Sequence, residues 1–276
     1  TLRDNMSLKN PVAAGNLDSR DYENYSINPQ ITLEYNLLGL EDNETSLRYR
    51  GMVNLNASTS ASRNYTPGSL NPKLPWHQDA INQSSAGDDK GFSFATRHNL
   101  VFTPYLGSKD HYLTMTGQFE MRTSSSNGQS STSKGLPTGN ITNSTISSKL
   151  GSASSYKSES RSISFAYDAH YSYKSKYMFR FSARVDGSTK FGPGKRWGVF
   201  PALSGRWNII DEPWMGWARN KAKMSMLSLR PGWGQVGRQP GAEYLHFSKY
   251  SGVDVYGDMA ATAPNNIRLT ELQWET

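Results

Sequence analysis

Between Arg161 and Asp186 the chain alternates apolar and polar side chains with a period of two, and this pattern limits its possible folds more than any other feature. Ile163, Phe165, Tyr167, Ala169, Tyr171 and Tyr173 hold one parity, while Ser162, Ser164, Asp168, His170 and Ser172 hold the other. After Lys174-Ser175-Lys176 the alternation resumes, with Tyr177, Phe179, Phe181, Ala183 and Val185 set against Met178, Arg180, Ser182, Arg184 and Asp186. Successive side chains of a strand point to opposite faces. The stretch therefore predicts two antiparallel strands joined by a tight turn, with one apolar face and one polar face.

The same device recurs upstream. Leu113, Met115, Phe119 and Met121 alternate with Thr114, Thr116, Gln118, Glu120 and Arg122 after a turn at Gly107-Ser108-Lys109-Asp110, and His98 to Tyr105 is the expected partner. A third pair joins Ile27–Leu38 to Leu47–Ala57 through Glu41-Asp42-Asn43-Glu44. Each strand reaches the ~9–11 residues that a tilted strand needs to cross a bilayer. Ser58–Gly91, Thr123–Ser160 and Gly187–Arg196 read as polar loops, and the middle one has too little apolar surface to fold alone. Trp197–Ile210 and Met226–Val236 read as further strands, with a helical turn in Asp211–Lys223 that carries Trp214, Met215 and Trp217 near an interface. About eight strands are expected, with a ninth beginning near Leu269.

Composition agrees with strands in a membrane. Hydrophobic residues make up 36% of the chain and aromatics 12%, with a mean hydropathy of -0.67. That mixture is polar yet rich in rings, as expected when each strand gives half its side chains to a polar lumen and half to lipid. No apolar run approaches the ~18 residues of a spanning helix. The predicted fold class is all-β, an antiparallel transmembrane β-barrel segment that on its own forms a curved, open sheet, and no domain boundary is visible in residues 1–276. Short turns are assigned to the periplasm and long loops to the exterior. Lys174–Lys176 then face inward to the periplasm and Gly187–Arg196 face outward.

Several chemistries find no support. Cysteine is absent, and no pair among His77, His98, His111 and His246 has metal-ligand spacing, so neither a metal nor another cofactor is expected. There is no GxSxG elbow, and Gly192-Pro193-Gly194-Lys195 lacks the full phosphate-loop spacing, so the chain is not read as an enzyme. The charge of +7 is scattered rather than gathered into a stripe, which argues against nucleic acid. Asp168, His170, Arg180 and Arg184 are expected to point into the lumen, lining a solute path or a solvated polar network. Trp76 and Tyr244, farthest from the strand patterns, are the candidates for ligand or lid contact.

The run Asp186-Gly187-Ser188-Thr189-Lys190-Phe191-Gly192, followed by Arg196-Trp197-Gly198-Val199-Phe200-Pro201-Ala202-Leu203-Ser204, resembles the DGSSRFG…RWGxFPSxS signature of SusC/RagA-type TonB-dependent transporters. Three further pieces occur in that family's order: Asn10-Pro11-Val12-Ala13, Gly234-Gln235-Val236-Gly237, and Leu272-Gln273-Trp274-Glu275-Thr276, similar to LKWET. Thr189 replaces a usual Ser, and Pro231 interrupts the element that reads LRASYG in the family, which puts the pairing there in question. Within the signature, Gly187, Gly192, Pro193 and Gly194 suit a tight loop, and Trp197 and Phe200 suit the upper aromatic girdle.

The resemblance implies one part of a barrel of about 22 strands, with an N-terminal plug, the TonB box and the remaining strands lying outside this sequence. It further implies an outer-membrane location, energy from the TonB complex, a SusD-like surface lipoprotein as partner, and import of oligosaccharides or peptides. Two other classes are open at the level of sequence: a non-transporting outer-membrane receptor or adhesin, and a soluble all-β carbohydrate-binding protein.

Overall fold

The computed structural model describes residues 15–39, 44–68, 82–136, 149–256 and 259–276. It is an all-β structure. β1 (Ser19–Ile27) and β2 (Gln30–Leu38) both pair with β3 (Ser46–Thr66), and β4 (Gln83–Thr103), β5 (His111–Lys134), β6 (Lys149–Tyr173), β7 (Tyr177–Ser188) and β8 (Trp197–Asn208) follow in sheet order. The short β9 (Ser228–Leu229) and β10 (Gly232–Gly234) both pair with β8, and β11 (Tyr250–Tyr256) and β12 (Met259–Pro264) form a separate hairpin. Among the described residues no helix is long and apolar enough to cross a membrane.

The β6–β7 hairpin has the register that its alternation predicts. Tyr173 pairs with Tyr177, Ala169 with Phe181 and Phe165 with Val185, so the apolar parities of both strands share a face. The turn is tight because Lys174 and Ser175 both take positive φ, +49° and +54°, and the Lys176 amide donates to the Tyr173 carbonyl at 3.0 Å. Two left-handed residues give the turn whose twist matches the twist of the strands. β8 extends the same apolar face, with Trp207 beside Tyr177, Leu203 beside Phe181 and Val199 beside Val185. Phe165, Phe179, Val199 and Leu203 stay exposed on it. Each such side chain costs roughly 1.5–3 kcal/mol in water relative to an apolar surrounding, so the face selects hydrocarbon.

Contacts group the chain into two compact units. One contains β1 with Leu55–Ser93 and Ser124–Glu159, and the other contains Gln30–Asn54, Phe94–Thr123 and Ser160–Thr276. The second unit holds the alternating segments. The first is mostly polar on its strand faces, with scattered exceptions such as Tyr25, Ile27 and Leu150, and carries side-chain bonds from Arg63 to Asp88 at 3.0 Å, from Tyr156 to Asp89 at 2.9 Å, and between Ser130 and Ser154 at 2.8 Å. A ladder of that composition has no face to give to lipid.

This arrangement corrects several expectations. Much of Ser58–Gly91 and Thr123–Ser160 is strand rather than loop, because β3 continues to Thr66, β4 begins at Gln83, β5 runs to Lys134 and β6 begins at Lys149. Backbone pairing does not require an apolar face, so these segments carry no period-two signal. The predicted strand Ile27–Leu38 is divided at Asn28-Pro29, where proline has no amide to give, although the Pro29 carbonyl accepts from Leu55 at 3.0 Å. Met226–Val236 is strand only at β9 and β10, on either side of Arg230-Pro231; Pro231 has no amide to give, although its carbonyl accepts from Gly205 at 2.9 Å. No strand forms near Leu269. The hairpin β11–β12 was not foreseen.

The helical turn after β8 is present as two 3-10 turns, Ile209–Asp211 and Pro213–Met215, and a short α1 (Gly216–Asn220). Ile210, Met215 and Ala218 form its small core, while Trp214 and Trp217 are exposed. Glu212 ties this turn to the strand ends. Its carboxylate accepts from the Tyr177 hydroxyl at 2.5 Å and the Trp207 indole at 3.0 Å, and Lys176 lies 3.6 Å away. These partners, the Tyr177 bond foremost, hold the Glu212 carboxyl below the usual glutamate range. A depressed folded pKa stabilises the fold above the ordinary glutamate pKa, and that contribution disappears as pH falls through the depressed value. Protection of the amides across 209–220 in the full-length protein, taken relative to the intrinsic exchange rate at each pH, is therefore expected to fall on acidification below the glutamate range. In Glu212→Gln that protection should be lower already at neutral pH and lose the dependence.

Candidate functional site

The polar parity of β6, β7 and β8 builds one continuous face. Register places His170 beside Arg180, Asp168 beside Ser182, Ala166 beside Arg184 and Ser164 beside Asp186, and then Arg180 beside Ser204 and Arg184 beside Phe200. All four predicted lumen residues lie on this face, but they form two groups. Arg180 Nε donates to Asp168 Oδ2 at 2.6 Å, with His170 adjacent in register. Arg184 Nε lies 2.8 Å from both oxygens of Asp186, and its terminal nitrogen reaches Ser164 Oγ at 3.1 Å. Ion pairs this exposed contribute at most about 1 kcal/mol. Their consequence is positional: they fix guanidinium planes over an open polar surface.

The second group borders a cavity of about 640 Å³ whose lining includes Glu120, Arg122, Arg161, Arg184, Asp186 and Gln235. Glu120 is held by Arg97 at 3.0 Å and lies 3.6 Å from Arg122. Serines 160, 162, 164, 182 and 188 supply hydroxyls around the rim. Such a surface offers hydrogen bonds of both senses and charges of both signs to a polar solute. Among the described residues no cluster of three or more His, Asp or Glu side chains could hold a metal ion.

One wall of the cavity is aromatic, and it explains why separate motifs occur together. Phe191 is fully buried, 4.8 Å from the Trp274 ring, and Phe200 meets Trp274 edge-on at 5.3 Å. The Trp274 indole donates to the Arg196 carbonyl at 3.1 Å, and Arg238 and Glu275 exchange backbone bonds at 2.8 and 3.3 Å. Glycine is needed where rings lie on the backbone: a Cβ on Gly198 would come 2.9 Å from Trp274, and one on Gly237 would overlap the Phe200 ring. Lys190 secures the loop from the other side, reaching the Pro240 carbonyl at 3.2 Å and Glu243 at 3.4 Å. Phe200 therefore does not share a girdle with Trp197. It sits on the opposite parity, buried beneath Trp274, while Trp197 is exposed on the apolar face.

The other candidates lie apart. Trp76 falls outside the described residues, as do Asn10–Ala13. Tyr244 has positive φ, +61°, and lies near Phe247 with Lys249 over its ring at 5.7 Å, and it does not line the cavity. Residues missed from the sequence include Arg206 and Arg230, which register places on the polar face beside Arg180.

Comparison with solved structures matches this architecture to the RagAB peptide transporter, with a TM-score of 0.70 and 15% identity over 92% of this chain and 27% of that one. The same importer in its open-open state gives a TM-score of 0.67 and 16% identity. In sequence, the chain is 35% identical over 91 residues to the TonB-dependent receptor SusC of Bacteroides thetaiotaomicron, covering 33% of this chain and 9% of that protein. The chain is similar to part of SusC/RagA-type receptors in sequence and in fold. It is also 30% identical over 128 residues to TonB-dependent receptor P3 of Formosa agariphila, covering 45% of the segment and 12% of that receptor. No protein-family model matches the segment. It spans about a tenth of the curated relatives' length and about a quarter of the solved chain. Its place is the outer membrane, crossed by strands.

The aromatic wall gives a direct expectation. Phe191→Ala in the full-length protein should lower the unfolding free energy by about 3–5 kcal/mol, the usual cost of removing a buried ring. Urea unfolding followed by tryptophan fluorescence measures it, and Phe191→Leu should recover most of the loss.

Proposed function

We propose that the segment belongs to an importer that carries oligomeric nutrients across the outer membrane, and that its polar face lines the solute path. The supporting observation is the two-sidedness of β6–β8. A face of exposed Phe, Tyr, Val and Leu suited to hydrocarbon backs directly onto one of Ser, Asp, His and Arg with a 640 Å³ cavity. Any barrel crossing lipid has a polar inner face; what suits this one to a polar solute is the cavity on it, lined by hydroxyls and charges of both signs. In this reading residues 1–276 are part of one barrel domain, and a plug, a TonB-derived energy supply and a SusD-like surface lipoprotein belong to the complete assembly. Asp168, His170, Arg180 and Arg184 contact the solute or its water, and Tyr244 stands as the candidate for ligand or lid contact among the described residues.

A solved neighbour is named a peptide transporter, and the resemblance drawn from the sequence implies glycans as a second oligomer class. Uptake by cells carrying the full-length protein, with labelled oligopeptides and oligosaccharides offered separately, tests both. One class should accumulate in a TonB-dependent manner. Arg184→Gln, which unties Asp186 and Ser164 at the cavity, should reduce that uptake several-fold with the protein still present in the outer membrane. TonB-independent uptake, or none of either class, would sink the import reading.

A further inference from the structure

We propose that the polar face carries a second station, a cationic one, which receives negatively charged groups of the passing solute and so makes this a path for anionic oligomers. The inference rests on the import reading and adds a substrate class to it. Leu229 pairs with Trp207 and Gly232 with Ser204, so the two residues between them, Arg230 and Pro231, fall opposite Arg206 and Gly205. The register, unshifted from Leu229 to Gly232, thus sets a third guanidinium on the face that carries the other two. Arg180, Arg206 and Arg230 line one cavity of about 330 Å³ with His170 at its edge.

Charge at this station is poorly balanced. Among the described residues that line it there is no carboxylate, and Asp168, 2.6 Å from Arg180, offsets that one guanidinium. Arg206 Nε donates to the neutral side-chain oxygen of Asn208 at 2.8 Å. Among the described residues Arg230 has neither an ion pair nor a side-chain hydrogen bond. Converging guanidiniums repel one another unless an anion sits between them, and their planar donor forks match carboxylate geometry in particular. The larger cavity leans the same way, with Arg122, Arg161, Arg184 and Lys190 against Glu120 and Asp186. Both stations occupy the same parity of β7. Arg180 and Arg184 are four residues apart on it, or roughly 13 Å at ~3.3 Å per residue. An extended oligomer with charge on successive units can engage both.

The test uses the full-length protein in detergent micelles, titrated calorimetrically with tetraglutamate and with tetraalanine as a neutral match, at low and high salt. Tetraglutamate should bind and tetraalanine should not, with affinity falling as salt rises. The double variant Arg206→Gln/Arg230→Gln should bind tetraglutamate at least about tenfold more weakly, in line with losing charge-assisted bonds. Asp168→Asn, which frees Arg180, should bind it more tightly, a gain that mere structural damage does not produce. Equal binding of the two peptides, or an affinity unchanged by the double variant, overturns the proposal. So does an absence of tetraglutamate binding combined with a lower melting temperature in the double variant, because an acidic segment of the same protein then fills the station. If tetraglutamate binding follows charge as described but cells import no oligomer, the import reading fails and the anion site stands.

Discussion

In hydrocarbon a backbone amide or carbonyl has no water to bond, so a chain crossing it as strands must spend every such group on a neighbouring strand. The rest of this segment depends on that requirement. Once the backbone is committed sideways, side chains are left to alternate, and a single strand must satisfy two solvents at once. Tyr167, Phe179 and Leu203 answer one of them, and Asp168, Arg180 and Ser204 the other. The polar face is therefore a geometric consequence of crossing lipid with strands. What is specific to this chain is the chemistry placed on it: hydroxyls and paired charges near Arg184, and arginines with little compensation near Arg230.

Where the two solvents differ, the sequence could be read. The half of β6 from Arg161 and its pairing with β7 were legible in register, because a ring at every second position leaves one register available. Where both faces meet water the alternation vanishes, and Ser124–Lys134 looked like a loop although it continues β5. The limit is physical, since backbone pairing alone leaves no mark on side-chain identity. β9 and β10 were obscured differently, as two and three residues are too few to show a period.

The candidate site was legible in its parts and not in its assembly. Asp168, His170, Arg180 and Arg184 follow from parity within one hairpin. Arg206 and Arg230 join them only through the register of β8 with β9 and β10, which a pattern along one strand cannot supply. Phe200 was misassigned by reading its ring instead of its position. Counting from Trp197 places it on the polar parity, where Trp274 covers it. The Trp274 contact spans 78 residues to Arg196, and nothing local announces it.

That separation has a kinetic consequence. The hairpin at Lys174-Ser175 closes a loop of a few residues and loses little chain entropy, so β6 and β7 can meet as soon as both exist. The Phe191–Phe200–Trp274 wall must wait until the chain between has found its place, because long closures are slower to reach and bring no reward until complete. Assembly is thus expected to begin at the tight turn and end at the aromatic wall. The buried Phe191 then acts as a late latch: the loop that carries it is the last part to become unable to leave.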